Sequence, residues 1–404
     1  MRVVIGPGPL RGQVRAIASK SQAHRLLICA ALSDGATEIV CRESSGDIDA
    51  TADCLRALGA SVDRSGGVFR VRPIADPVPG ARLDCGESGS TLRFLLPVLC
   101  ALGTPSRVKM RGRLPERPLS PLWETLERAG ARLSRPAGDE IAVGGAIAGG
   151  EYEIAANVSS QFISGLLLAL PLCGGGRVAL TGAAESSPYI EITRRAQAAF
   201  GLRSGFDGSG YTVPALPRYR SPGALEVEGD WSNAAFWLCA RALGSEVECL
   251  GLDPASPQGD RAVVGLLEKI RRGGAVIDAR DVPDLIPVLS VAASVSPGVT
   301  EFINAGRLRL KESDRLKTTA AMLASLGADV AEGPDGLAVR GVERLAGGVV
   351  DSANDHRIAM SAAVASTVCR GSVTVLGARC VDKSYPGFWD DFERLGARVT
   401  PMPD

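Results

Sequence analysis

The sequence predicts an α/β protein of two domains, each assembled from three related units of about 70 residues. Three observations predict it. A chain of 404 residues exceeds one ordinary domain and suits two. Helical segments ending in apolar-Gly-apolar recur with their glycines at 59, 130, 201, 274, 327 and 396. Apolar helical segments at about 22–33, 90–102, 160–172, 232–243, 285–295 and 357–369 are each followed by another glycine, at 35, 103, 175, 244, 298 and 371.

Intervals in the first ladder are 71, 71, 73, 53 and 69 residues, and in the second 68, 72, 69, 54 and 73. Both shorten at the same copy, which two unrelated patterns would not do. Gly just past a helix end is the expected stop, because it tolerates the left-handed backbone there. Each unit is long enough for several strands and two helices, and three units per domain is the natural division. The break falls near Glu226–Asp230, after the turn-rich run from Pro217 to Gly223.

Composition excludes several function classes. Forty-five basic residues balance forty-five acidic ones, so a general nucleic-acid or membrane-surface binder is not indicated. The apolar runs 162–176 and 285–299 are too short to cross a bilayer and read as core. No secretory signal is visible, so a cytoplasmic location is expected. Ten cysteines without a CxxC pair read as buried thiols, and two histidines, His24 and His356, are too few for a typical histidine-rich metal site.

Polar residues gather at the starts of the second-ladder helices: Lys20, Ser21 and Arg25; Gly89, Ser90 and Arg93; Ser159, Ser160 and Gln161; Asp230 and Ser232; Asp284; Asp355, His356 and Arg357. A helix N-terminus offers free N–H groups and partial positive charge. N-capping accounts for several of these hydroxyls and carboxylates, Ser232 among them. It does not account for Lys or Arg there, where the dipole disfavours cations. Cations beside helix N-termini point to a multiply charged anionic ligand. Three more polar segments, Arg113–Pro118, Lys311–Arg315 and Asp382–Pro386, add to this, and three of only six lysines (Lys20, Lys311, Lys383) fall in such segments.

These segments, taken in order, resemble those of the EPSP synthase family of enolpyruvyl transferases. They are Lys20-Ser21 with Arg25, Gly89-Ser90 with Arg93, Glu116-Arg117-Pro118, Ser159-Ser160-Gln161, Ser186 with Pro188-Tyr189, Pro283-Asp284, Lys311-Glu312 with Asp314-Arg315, Asp355-His356-Arg357, and Lys383. The resemblance covers nearly the whole chain. It implies two domains of three βαβαββ units each, an inside-out α/β barrel arrangement with a cleft between domains. Residues 1–15 would join 229–404 as a C-terminal domain carrying mainly the phosphoenolpyruvate side. Residues 16–228 would form the shikimate 3-phosphate side.

The implied reaction moves the carboxyvinyl group of phosphoenolpyruvate to the 5-hydroxyl of shikimate 3-phosphate and releases phosphate. By the same resemblance, Lys20, Ser21, Arg25, Ser159, Ser160, Gln161, Ser186, Tyr189, Asp284 and Lys311 would hold shikimate 3-phosphate. Lys20, Gly89, Arg117, Gln161, Arg315, Arg357 and Lys383 would hold phosphoenolpyruvate. Asp284 assisted by Lys311 is expected at the 5-hydroxyl, and Glu312, with Lys20 as a second acid, at the methylene carbon. Small-molecule substrates and a monomer are expected, with no metal or organic cofactor implied and no nucleic acid or membrane. Arg307, Glu87, Ser90 and Phe94 depart from the commonest family residues. Gly89 without a side-chain methyl implies sensitivity to glyphosate. The sister family acting on UDP-N-acetylglucosamine commonly carries a Cys in the loop equivalent to 111–118, and this loop has none.

Overall fold

The computed structural model of the chain describes residues 1–182 and 187–402. Among these, helices and short strands alternate throughout. The helices are α1 (Lys20–Ala31), α2 (Gly46–Ala57), α3 (Gly89–Leu102), α4 (Leu122–Arg128), α5 (Ser160–Ala169) and α6 (Ser187–Ala199). They continue with α7 (Trp231–Ala242), α8 (Val263–Arg271), α9 (Ile286–Ala293), α10 (Arg315–Ser325), α11 (His356–Ala365) and α12 (Phe388–Arg394). The odd-numbered helices are those of the second glycine ladder, and the even-numbered ones those of the first.

The two kinds of helix differ in pattern and therefore in place. Every residue of α9 and of α11 is buried, and in α3 Gly89 to Cys100 are buried except Ser90. A helix apolar all round belongs in the interior. Helix α2 instead buries Ile48, Thr51, Ala52 and Leu55, the i, i+3, i+4, i+7 stripe of a helix with one wet face. The strands bury alternate residues, as a sheet covered on one side does. Each unit thus carries odd helices inside and sheets outside. Among the described residues the sheets stay separate and do not close into a continuous barrel.

Each even helix stops where its glycine N–H donates to the carbonyl three residues earlier: Gly59 to Arg56, Gly130 to Glu127, Gly201 to Ala198, Gly327 to Ala324 and Gly396 to Glu393. In the fourth copy the stop is Gly273, which donates to Ile270, and not the expected Gly274. These six glycines have φ from +80° to +110°, the region a side chain resists. With Gly273 in that role, the short interval is 54 residues in both ladders. The expected helices 160–172 and 357–369 end earlier, at Ala169 and Ala365, and continue as 3-10 turns. Pro171, lacking an N–H, cannot extend the first.

The sheets explain both the repeat and its shortened copy. Strands Ala81–Asp84 and Ser106–Lys109 pair in parallel, and Glu140–Gly145 and Ala131–Ala137 complete the sheet as an antiparallel hairpin. The same order recurs with Gly150–Ala155, Gly176–Thr181, Gly210–Val213 and Gly205–Phe206. It recurs again with Val276–Asp278, Val299–Ile303, Gly336–Arg340 and Asp329–Gly333. In three sheets one strand comes from far away in sequence. Ala224–Glu226 pairs with Thr37–Val40, and Arg2–Ile5 lies between Val373–Leu376 and Val399–Met402. The copy holding α7 and α8 is two-stranded, Arg11–Arg15 beside Glu246–Leu250, with no hairpin, hence its shorter length.

The chain divides into two compact units, Ala18–Glu228 and Met1–Ile17 with Gly229–Asp404, each with its own apolar core. The first boundary lies two residues later than the expected 15/16. Ala16 N–H donates to Leu250 O and Asp230 N–H to Ile17 O, both 2.8 Å, so residues 16 and 17 stay with the strand Arg11–Arg15. All ten thiols are free and eight of them are buried; at Cys100 burial raises the pKa to about 12. Such thiols are packing residues.

One contact fixes the interior of the 18–228 unit. Pro97 interrupts α3 and leaves the Arg93 carbonyl without its usual i+4 donor. Helix α5 lies against that carbonyl at Gly165, where a Cβ would stand 2.3 Å from Arg93 O and 3.0 Å from Pro97 Cγ. Only Gly permits this approach.

Candidate active site

In the 18–228 unit, the starts of α1, α3 and α5 are capped by Ser19, Ser88 and Ser159, whose hydroxyls accept from the N–H groups of Gln22, Thr91 and Gln161. Capping satisfies one donor at each start and leaves others for a ligand. Beside them Lys20 Nζ meets Asp47 Oδ2 at 3.0 Å. Arg25, 2% exposed, is held by neutral oxygens: Thr193 Oγ1 at 2.6 Å, Ser21 O at 2.6 Å, Tyr189 O at 2.9 Å and Ser164 Oγ at 3.3 Å. Its guanidinium also lies over the Phe94 ring, 4.5 Å from the centroid. Burial works against the Arg25 charge and lowers its pKa, so an arriving anion offsets a cost already present.

Two more guanidiniums complete this set. Arg93 NH1 donates to Gln161 Oε1 at 2.7 Å, and Gln161 Nε2 donates to Ser90 Oγ at 2.9 Å, which orients the amide. Arg117 lies directly against Gly89: a Cβ there would stand 2.9 Å from NH1 and 3.1 Å from Cζ. The missing side chain at Gly89 is what lets the guanidinium approach the α3 N-terminus.

In the other unit the centre is Arg315, 1% exposed, at the first position of α10. It donates through NH1 to Asp284 Oδ1 at 2.8 Å, through NH2 to Glu312 Oε2 at 2.6 Å, and through Nε to Asp355 Oδ2 at 2.8 Å. Asp284 also accepts from Arg357 NH2 at 3.0 Å and from Lys311 Nζ at 3.5 Å. Asp355 caps α11 through the Arg357 N–H and takes the Ser313 hydroxyl at 2.9 Å.

This cluster sets the protonation of its members. Burial raises the Asp284 pKa, but Arg357, Lys311 and Arg315 outweigh it and hold the carboxyl well below its usual range. Burial lowers the Lys311 pKa, against the pull of Asp284. The result is a carboxylate kept ionised beside an amine whose charge is disfavoured. With cations facing the same region, this arrangement can bind an anion and move a proton to or from a hydroxyl.

The profile of one family, EPSP synthase (3-phosphoshikimate 1-carboxyvinyltransferase), matches residues 4–278 and 270–392. A 3-phosphoshikimate 1-carboxyvinyltransferase of Clostridium kluyveri is 40% identical over 418 residues, spanning 98% of each chain. That of Clostridium perfringens strain 13 is 42% identical over 419 residues, with the same coverage. The chain belongs to the EPSP synthase family. Its fold is also that of an Acinetobacter baumannii EPSP synthase structure, with a TM-score of 0.80 at 24% identity over 99% of this chain and all of that one.

Within this EPSP synthase family member, the structure gathers the sequence-derived residues into one set per unit. Lys20, Ser21, Arg25, Gly89, Arg117, Ser159, Ser160, Gln161 and Tyr189 cluster around the starts of α1, α3, α5 and α6. Asp284, Lys311, Glu312, Arg315 and Arg357 form the ion cluster of the other unit. Lys383 donates to Asn354 O at 2.9 Å, next to the α11 start. Ser186 lies outside the described residues. Asp284 caps no helix, and its carboxylate accepts from Arg315, Arg357 and Lys311. The Glu312–Arg315 pair is present, within a buried network rather than on an open surface.

One expectation is corrected. Ser232 is not an N-cap: Asp230 caps α7 by accepting from Asn233 N–H at 2.8 Å, because helical geometry begins at Trp231. Ser232 Oγ instead accepts from Arg357 NH2 at 2.7 Å. Sequence reasoning missed two carboxylates that matter here, and named Asp355 without its ion-pairing role. Asp47 lies in the first turn of α2, a capping position by pattern. Asp260 sits in a short turn with no periodic signal.

Proposed function

We propose that this chain transfers the enolpyruvyl group of phosphoenolpyruvate to the 5-hydroxyl of shikimate 3-phosphate, giving 5-enolpyruvylshikimate 3-phosphate and phosphate. Membership of the EPSP synthase family over nearly the whole chain carries this reading. Both substrates are polyanions, and the two residue sets supply the guanidinium and ammonium groups that such anions require. We assign shikimate 3-phosphate to Lys20, Ser21, Arg25, Ser159, Ser160, Gln161, Ser186, Tyr189, Asp284 and Lys311. We assign phosphoenolpyruvate to Lys20, Gly89, Arg117, Gln161, Arg315, Arg357 and Lys383. On this assignment residues 18–228 carry mainly the shikimate 3-phosphate side.

The reaction is an addition followed by an elimination. In the addition, the 5-hydroxyl oxygen attacks C2 of phosphoenolpyruvate, loses its proton to the enzyme, and C3 gains a proton. In the elimination, C3 loses a proton, the double bond re-forms and phosphate departs. Ionised Asp284 accepts the hydrogen bond of the 5-hydroxyl and orients it. Lys311, whose charge burial disfavours, stands 3.5 Å away as the partner in that proton transfer. Anions arriving at Arg315, Arg357 and Lys311 compete with Asp284 for those cations and so raise its basicity. Glu312, held by Arg315, serves the methylene carbon, with Lys20 as the second acid.

The test is phosphate release from phosphoenolpyruvate, with shikimate 3-phosphate and with UDP-N-acetylglucosamine in parallel. Release with shikimate 3-phosphate alone supports the proposal. Release with UDP-N-acetylglucosamine alone overturns it in favour of the sister reaction. We also propose that the enzyme works as a cytoplasmic monomer, to be checked by sedimentation velocity and by fractionation of the source cells.

A further inference from the structure

One buried carboxylate has no part in the chemistry above. Asp260 is 2% exposed, in the 3-10 turn Gly259–Ala262 that leads into α8. The neighbouring Gln258 pins this turn to the start of α7: its Oε1 accepts from Trp231 N–H at 3.0 Å and its Nε2 donates to Gly229 O at 2.8 Å. So placed, Asp260 takes a hydrogen bond from the Ser232 side chain. Ser232 Oγ has a single proton. It gives that proton to Asp260 and accepts from Arg357 NH2 at 2.7 Å. The same nitrogen reaches Asp284 Oδ2 at 3.0 Å, and Arg357 NH1 reaches Asp284 O at 3.1 Å.

We propose that Asp260 is a positioning residue for anion binding, holding the Ser232 hydroxyl that in turn holds Arg357, so that its charge governs how fully that guanidinium answers an anionic substrate. The proposal rests on the assignment of Arg357 to phosphoenolpyruvate. The groups facing Asp260 are Arg357 from α11, Asp284 from the turn before α9, Asp230 from the cap of α7 and the Ser232 hydroxyl. Burial, then Asp284, raise the Asp260 pKa to about 6, against the opposite effect of Arg357 and the Ser232 hydrogen bond. Above that pH the ionised carboxylate draws on the field of Arg357; below it, neutral Asp260 leaves that field to the anion. By linkage, anion binding favours proton uptake at Asp260.

The experiment compares the KM for phosphoenolpyruvate of the wild type and Asp260→Asn between pH 5 and 8. Titration of the substrate's own phosphate cancels in the ratio. Asn keeps an acceptor for Ser232 and removes the charge. The ratio of wild-type to variant KM is expected near one at pH 5 and about tenfold by pH 8, the order set by one unit charge near an anion at an effective dielectric near 20. Asp260→Ala compared with Asp260→Asn, and Ser232→Ala compared with wild type, break the relay and are expected to raise KM at every pH, while Ser232→Ala keeps the pH step. A flat ratio would overturn the proposal, as would Asp260→Ala behaving like Asp260→Asn.

Thermal unfolding reads the titration itself. A raised acid pKa means that the fold binds a proton the unfolded chain has released, so wild type should lose stability relative to Asp260→Asn as pH rises from about 4 to about 6. Absence of this trend overturns the proposal. Arg357→Ala separates the two levels: an unchanged KM for phosphoenolpyruvate there would sink the assignment of Arg357 and this proposal with it. A raised KM combined with a flat Asp260 ratio would sink this proposal alone.

Discussion

Adding one methyl at Gly89 tests the geometry of the phosphoenolpyruvate side with little risk to the fold. Gly89 is the first residue of α3 and has ordinary backbone angles, so Ala costs no backbone strain and contributes up to about 1 kcal/mol to helix stability. The new Cβ would stand 2.9 Å from Arg117 NH1 and 3.1 Å from Cζ and NH2. Ordinary contact begins near ~3.5 Å, so the guanidinium must retreat by about half an ångström or more. The atoms that move are the far end of a flexible side chain, which keeps the structural cost low. On the proposed assignment of Arg117 to phosphoenolpyruvate, the cost falls instead on its charge-assisted hydrogen bonds to that substrate, each worth about 1.5–3 kcal/mol. We therefore expect Gly89→Ala to raise the KM for phosphoenolpyruvate by roughly 10- to 100-fold. The KM for shikimate 3-phosphate and the melting temperature should hold or rise slightly. Steady-state phosphate release and thermal unfolding are the assays. An unchanged KM for phosphoenolpyruvate, or an equal rise for both substrates, would refute the placement of Arg117. Wild-type activity should fall in millimolar glyphosate and recover in Gly89→Ala.

Three further outcomes follow from the geometry. Glu312→Gln should lower kcat by roughly 10²–10⁴-fold with an intact fold, as removal of a proton-transfer group does; a loss of only a few-fold takes Glu312 out of that role. Arg315→Ala removes the cation shared by the carboxylates of Asp284, Glu312 and Asp355 and should cost about 3–5 kcal/mol in urea unfolding, the loss typical of breaking a buried ion pair. A shift below about 1 kcal/mol would mean that the network contributes little. Gly165→Ala drives a Cβ into the Arg93 carbonyl and should destabilise the 18–228 unit by about 1–3 kcal/mol; a neutral effect would show that α3 and α5 can separate freely.

Whatever depends on local conformation is legible in the order of residues. Six even helices ending at glycines are legible because only Gly accepts the left-handed stop cheaply, and six interior helices because they are apolar all round. The order of polar motifs was enough to indicate the family. Local rules also misplaced details: Gly274 for Gly273, Ser232 for Asp230 as a cap, and 15/16 for the unit boundary. In each case a hydrogen bond to a particular carbonyl or N–H decides among neighbours of similar propensity.

Tertiary structure decided what sequence distance hides. Residues 224–226 complete a sheet begun at Thr37, and residues 2–5 complete one ending at Met402. No periodicity can announce such exchanges, because the pairing is between backbones. Arg315 meets carboxylates 31 and 40 positions away, and Arg357 reaches Asp284 across 73. A single charged residue in a string carries no sign of its partner or of its burial. Which carboxylate stays ionised, which lysine loses its proton readily, and which buried Asp stands behind Arg357 are fixed only when desolvation and neighbouring charge act together in the folded chain.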